Sequence, residues 1–306
     1  MLAVAIIFLL FPIINSTLTT DKITATDWVY RHSVWIDQYL TGDFSAIQSY
    51  PPLFHWLMLP FVAINFPIKY FQIIFAVLSI SSILYFVYKK ENEKAVIYSA
   101  VLLAGSIAFV EFSGSLMPQA LDYILFPLAI LLYYRKHTKS MIAVLLIMML
   151  MHGTGFLFVF VLLAHALLTK YKKMIKTLII LLLLLLPIFY YYQFYAVQTF
   201  EQNTIMSEIH NIDAQNEWDA QYYNPLWKFF GMSGFLTWIL LFPAIYKVIK
   251  KRFKLTDTQI LYIIWVAVFL PFPFFSMGFW RMVSYQIVPL SLLVASLLSE
   301  EKVNKK

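Results

Sequence analysis

Long apolar runs separated by short polar punctuation recur from one end of the chain to the other. Runs of this kind read as buried or membrane-crossing helices, since a perpendicular span needs about 20 apolar residues to cross about 30 Å of hydrocarbon. The pattern predicts an all-α, polytopic membrane protein of about ten spans: 1–16, 67–88, 94–111, 119–135, 139–151, 153–169, 174–195, 226–248, 257–276 and 280–298. The first run, "MLAVAIIFLLFPIINST", lacks a basic leader and a small-residue cleavage site, so it reads as a retained span rather than a signal peptide. Pro12, Pro187 and Pro243 are expected to kink their helices, not to forbid them.

Composition agrees. Of 306 residues 61% are hydrophobic and 13% charged, with a mean hydropathy of +0.74. A soluble domain carries about a quarter charged residues. The polar stretches near 17–50 and 196–225 leave no room for a separate soluble domain, so residues 1–306 read as one transmembrane domain. With no cysteine, disulfide and thiolate chemistry are excluded.

The net charge of +7 changes meaning once it is mapped. Eighteen of the 23 Lys and Arg lie in "KKENEK", "RKHTK", "KYKKMIK", "KVIKKRFK" and the tail "EEKVNKK", each beside an apolar run. That is how cytoplasmic loops are marked, and nucleic-acid binding is not expected. Both termini are then cytoplasmic. Eleven of the 16 Asp and Glu fall in the intervening, outward segments. Basic clusters on both sides of 139–169 require an even number of crossings, so "MHGTG" should mark an outward bend. Counting "PPLFHWLMLPFVAINF" (51–66) as a span would turn "KKENEK" outward. It is therefore expected as a short interfacial helix that closes a first outward loop, 17–66.

The candidate chemistry sits on that outer side. In "TDWVYRHSVWIDQYLTGDF" a helix begun by Thr26 or Asp27 is expected to lie along the interface, with Trp28, Arg31, Trp35 and Tyr39 at helical spacing and His32 on it. In "VEFSGSLMPQALDYILF" Glu111 ends one span while Gln119 and Asp122 open the next. A carboxylate facing lipid costs a few kcal/mol, so Asp122 should face the protein interior or a wet cavity. The late loop 196–225 is acidic and offers Glu208, His210, Asp213, Glu217 and Asp219 as ligands. Arg281 is the lone basic residue near the outer start of the last span, and its guanidinium suits a phosphate. His55 and His152 fall near the outer face; His165 reads as structural. Neither a glycine-rich phosphate loop nor an HExxH motif occurs.

The order of these parts resembles the GT-C superfamily of polyprenol-dependent glycosyltransferases. "TDWVYRHSVWIDQYLTGDF" is similar to the segment around the catalytic aspartate of oligosaccharyltransferase catalytic subunits, and the resemblance carries that role onto Asp27. "YPPLFHWL", "SGSLMPQALDYILFPLAILLYYRK" and "MHGTGFLFVFVLLAHALL" resemble the loop-closing stretch, the second acidic motif and the short helix pair of that family. The second motif departs from the family's D-x-D pattern, with Met117 and Gln119 at those positions and Asp122 further along. The soluble C-terminal domain with its W-W-D signature has no counterpart. The resemblance implies a compact transferase that takes a sugar from a polyprenyl-phosphate or diphosphate donor to an acceptor on the non-cytoplasmic face. Asp27, Glu111 and Asp122 would be catalytic, Arg281, His32, Gln119, His55 and His152 would bind substrate, and Asp27, Asp122 and Glu208 could hold a divalent cation (Mg or Mn). Rival expectations are a flippase of lipid-linked glycans and a polysaccharide polymerase or ligase; for the latter a basic late loop would be expected, and this one is acidic.

Overall fold

A computed structural model describes residues 2–19, 32–48, 51–67, 70–113, 117–191, 234–251, 255–270 and 279–299. All regular structure among them is helical: α1 (Leu2–Thr19), α2 (Ser33–Leu40), a 3-10 turn (Ser45–Gln48), α3 (Leu53–Ala63), α4 (Tyr70–Lys90), α5 (Glu93–Ala104), α6 (Ile107–Ser113), α7 (Pro118–Tyr134), α8 (Thr138–Met151), α9 (Gly155–Leu168), α10 (Lys172–Tyr190), α11 (Phe235–Lys251), α12 (Asp257–Phe269) and α13 (Phe279–Ser299). Each apolar run named above carries helix. Among the described residues two helices, Tyr70–Lys90 and Lys172–Tyr190, are both long and apolar enough to cross a membrane. The other apolar helices are shorter.

Helix directions follow from the contacts. Ser79 Oγ of α4 is shared between the carbonyls of Ala120 (3.2 Å) and Ser113 (3.3 Å), and Ser82 Oγ donates to the Ile124 carbonyl at 2.7 Å. Both chains advance together, so α4 and α7 are parallel. Phe126 packs on Phe158 at 4.1 Å between ring centroids and Tyr133 bonds His165, which makes α7 and α9 parallel too. Against these, α12 runs antiparallel: Phe269 packs on Phe158, while Asp257 at its other end meets His165. The pairs Gln259–Ser296 (2.9 Å) and Phe269 carbonyl–Gln286 (2.6 Å) set α13 antiparallel to α12, and Thr237–Ser291 (3.3 Å) with Lys247–Leu297 carbonyl (2.6 Å) sets it parallel to α11. Small hydroxyls and amides thus pin helix to helix where apolar side chains alone could slide, as expected in a bundle with lipid-like surroundings.

The helix ends are capped locally. Asn92 accepts from the Ala95 N–H at 2.9 Å and donates to Ser299, tying the start of α5 to the end of α13. Thr256 and Gln259 form a capping box at the start of α12. Lys247 donates to the Leu297 carbonyl at 2.6 Å, satisfying an orphan acceptor at the end of α13.

One feature departs from the expected spans. The run 94–111 is not one helix but two, broken at Gly105 and Ser106, where Ser106 Oγ accepts from the Phe109 N–H at 3.2 Å and restarts the turn as α6. Gly234, at φ +86°, approaches this break so closely that a Cβ there would lie 2.7 Å from the Gly105 carbonyl oxygen. A bend at "MHGTG", by contrast, does form between α8 and α9. His152 is extended between α8 and α9, and a Cβ on Gly155 would lie 2.8 Å from the backbone of Met148 and Met149. Only glycine lets the chain turn back that tightly.

Outward-pointing apolar side chains are abundant. Leu183, Leu184 and Leu186 on α10, Ile239, Phe242 and Ile249 on α11, and Val4, Ile7 and Phe11 on α1 are all exposed. Apolar surface on this scale marks contact with something other than water.

Candidate functional site

Asp122 sits one turn into α7, which Pro118 opens at a position where the missing N–H costs nothing. The residue is 1% exposed. Its Oδ2 accepts two hydroxyls, from Tyr285 of α13 at 2.6 Å and from Thr154 at 2.8 Å. Thr154 is the N-cap of α9, just after the bend. Its Oγ1 also lies 2.7 Å from Nδ1 of His152 and 3.2 Å from the Tyr285 hydroxyl. The backbone N–H of Thr154 donates to the same Nδ1 at 3.1 Å. Four side chains from α7, the α8–α9 bend and α13 therefore form one connected polar cluster. An aromatic wall of Tyr123, Phe158 and Phe269 packs on the Tyr285 ring at 5.2–5.6 Å between centroids. Oδ1 of Asp122 is buried and has no hydrogen-bond partner among the described residues. A buried carboxylate with one oxygen doubly bonded and the other unmatched is an arrangement a purely structural site avoids.

At the bend, burial holds the His152 imidazole down at about 4, so the ring is neutral near pH 7. Because Nδ1 accepts the Thr154 N–H, the ring proton resides on Nε2.

The other predicted residues fall as follows. His32 and His55 pair with each other, Nδ1 to Nε2, at 2.8 Å, at 3% and 0% exposure. Trp35 and Phe54 pack on His32 edge-on, at 5.5 and 5.3 Å between ring centroids. Trp35 and Tyr39, expected along an interfacial helix, do share a face of α2, and that face is buried. The pair joins α2 to α3, and burial pushes the His55 imidazole down to about 3. Glu111 lies on α6, Gln119 three residues before Asp122 on α7, and Arg281 one turn before Tyr285 on α13. Asp27, Glu208 and the rest of the acidic loop lie outside the described residues. At the opposite end of α7 and α9, His165 joins the Tyr133 hydroxyl (3.0 Å) to the carbonyl of Asp257 (3.1 Å) and bridges three helices. That is the structural part expected of it.

Sequence reasoning missed Thr154 and Tyr285. Thr154 lies inside "MHGTG", which was legible as a bend but not as a source of a side-chain donor. Tyr285 follows Arg281 by one turn, a spacing that could have flagged it.

A divalent cation has a stated donor set to meet. Among the described residues no three of His, Cys, Asp and Glu come together to hold a metal. Of the carboxylates expected to hold a cation, Asp122 has one oxygen, Oδ1, unmatched, while Asp27 and Glu208 lie outside the described residues.

No curated protein and no solved structure matches this chain. A family model does match, over residues 2–306, and the chain belongs to the EpsG family, membrane proteins associated with glycosyl transfer of the polysaccharide-polymerase kind.

Proposed function

We propose that the chain joins glycan units at the membrane, transferring a saccharide from a polyprenyl-phosphate or diphosphate carrier to the hydroxyl of an acceptor glycan. The family favours the polymerase reading over a single-sugar transferase, despite the acidic character of the 196–225 loop. What carries the proposal is the Asp122–Thr154–Tyr285–His152 cluster, a polar site gathered from three separate parts of an otherwise apolar bundle. The alternation of basic and acidic segments supports an outward placement, with both termini cytoplasmic. The helix directions, with α7, α9 and α13 parallel to one another and α12 opposed to them, agree with that parity.

In the proposed reaction the acceptor oxygen bonds to the anomeric carbon as the carbon–oxygen bond to phosphate breaks. The acceptor proton passes to a carboxylate, for which Asp27 is the first choice, and the carrier leaves as an anion that Arg281 offsets. A divalent cation, if bound, would neutralise the same phosphate. Glu111 and Gln119 are secondary substrate contacts in this scheme; His32 and His55, expected to bind substrate, are instead buried against each other and join α2 to α3.

The test uses purified protein in nanodiscs with a synthetic polyprenyl-diphosphate oligosaccharide. Lengthened glycan and released carrier phosphate are expected, with Asp27→Ala and Arg281→Ala each slower by about 100-fold or more. Unaltered lipid appearing on the opposite leaflet, without any glycan product, would instead establish a flippase.

A further inference from the structure

The carboxyl group of Asp122 is held by one oxygen only. Its Oδ2 accepts the Tyr285 hydroxyl at 2.6 Å and the Thr154 hydroxyl at 2.8 Å. Nδ1 of His152, 2.7 Å from the same Thr154 oxygen, already accepts the Thr154 backbone N–H at 3.1 Å, which leaves the hydroxyl proton for Asp122. Donors from α13 and the α8–α9 bend thus anchor the carboxyl through Oδ2. Oδ1 stays buried with no hydrogen-bond partner among the described residues. A buried polar atom in that condition costs about 1–3 kcal/mol, and the cost is removed when a ligand supplies the partner.

The chemistry of Oδ1 selects the ligand group. As a carboxylate oxygen it accepts; in the carboxylic acid it either accepts or, carrying the proton, donates. A cation suits only the accepting forms and a phosphate oxygen only the donating one. A hydroxyl donates and accepts, so it matches Oδ1 whatever the protonation. Position favours a saccharide as the source of that hydroxyl. Asp122 follows the start of α7 at Pro118 by four residues, Thr154 caps α9, and Tyr285 follows the start of α13 at Phe279 by six. At about 1.5 Å of rise per residue, the cluster lies within about 9 Å of where these three parallel helices begin, the end that the charge alternation assigns to the outer side. Asp122 is 1% exposed, so a saccharide meets Oδ1 by displacing side chains above it, a rearrangement common at binding sites. The Tyr123, Phe158 and Phe269 rings packed on Tyr285 keep the surroundings apolar.

We infer that Asp122 reads one ring hydroxyl of the carrier-linked saccharide through Oδ1, and so helps to set which sugar the protein accepts. The inference rests on the glycosyl-transfer reading for its substrate. It gives Asp122 a part in recognition and leaves proton transfer to Asp27. A site built to bond a hydroxyl rejects the analogue that lacks it, because its own buried group is then left unpaired.

The probes are the synthetic polyprenyl-diphosphate oligosaccharide and its singly deoxygenated analogues, one for each ring hydroxyl. Binding is measured by microscale thermophoresis and transfer by kcat/KM, for wild type, Asp122→Asn and Asp122→Leu in nanodiscs. With wild type, at least one analogue should bind about tenfold or more weaker than the parent and lose a similar factor in kcat/KM. Asp122→Asn keeps an oxygen for Tyr285 and Thr154 and turns an NH2 toward the hydroxyl. It should bind the parent within about tenfold of wild type and still reject the same analogue. Asp122→Leu should bind parent and analogue alike. Should Asp122→Leu fail to fold, the wild-type series and Asp122→Asn decide by themselves. Wild type that binds every analogue as well as the parent overturns the inference, leaving Oδ1 to an ordered water. The same follows if Asp122→Leu retains the wild-type discrimination, or if Asp122→Asn folds and loses it, since a base or a cation ligand would then be the better account. Discrimination in binding without any transferred glycan overturns the proposed function and leaves the recognition site standing.

Discussion

The hydroxyl of Tyr285 donates to Oδ2 of Asp122 across 2.6 Å, joining positions 163 residues apart. Both are buried, so the bond links α13 to α7 where no water competes for either group. Removing the hydroxyl leaves the carboxylate with Thr154 as its remaining donor. Tyr285→Phe should therefore cost about 1–3 kcal/mol of stability, since a buried acceptor loses a partner while the ring still packs. Thermal melting in detergent measures it, together with glycan transfer, which should fall alongside. A variant as stable and as active as wild type would show that this contact is incidental.

How much of this was legible beforehand can be argued from the same residues. Asp122 announced itself, because a carboxylate beside an apolar run is expensive unless it finds an interior partner. Thr154 and Tyr285 did not, because a hydroxyl in an apolar helix is as common for helix-to-helix pinning as for chemistry, and Ser79, Ser82 and Ser291 do the former here. The bend at "MHGTG" was readable from charge parity alone. The break at Gly105 was not, since a single glycine within an apolar run leaves hydropathy unchanged. Nor could spacing reveal that His32 and His55 meet, as only the docking of α2 on α3 brings 23 positions of chain together.

Gly155 supplies a prediction about the bend. A methyl group there would lie 2.8 Å from Met148 C and Met149 N, backbone atoms that cannot rotate away. Gly155→Ala should thus destabilise by about 1–3 kcal/mol through forced backbone displacement. It should also impair transfer, because Thr154 and His152 move with the bend. Gly105→Ala is the matched control: its nearest neighbours would be carbonyls at 3.6 and 3.7 Å, and its φ is −76°. There the change should be neutral or stabilising by up to about 1 kcal/mol. Urea or thermal unfolding of the two variants side by side decides.

The buried His32–His55 pair predicts a dependence on pH. Burial depresses the His55 imidazole to about 3, against 6.5 when exposed. The unfolded chain therefore takes up a proton below about pH 6.5 that the folded chain refuses, and stability falls as pH drops through that window. At pH 5 the loss from this one group should be about 2 kcal/mol. His55→Asn should be less stable than wild type at pH 7 yet lose less between pH 7 and pH 5. Melting temperatures at both values report it, and a slope unaltered by the substitution would place the acid sensitivity elsewhere.

The capping box of α12 separates stability from chemistry. Thr256 Oγ1 accepts from the Gln259 N–H at 3.2 Å while the Gln259 side chain accepts from the Thr256 N–H at 3.0 Å, and Gln259 also donates to Ser296 of α13 at 2.9 Å. This end of α12, with Asp257 against His165, is the end remote from Phe269, which packs on Tyr285. Thr256→Ala should cost about 1 kcal/mol, the usual worth of an N-cap, and lower the melting temperature without altering kcat measured well below it. Tyr285→Phe should lower both. A Thr256→Ala protein that melts normally would mean the backbone N–H groups of α12 find other acceptors. One that loses turnover at constant stability would mean the two ends of the bundle are coupled through α12 and α13, which pack along their lengths by way of Gln259–Ser296 and Gln286–Phe269.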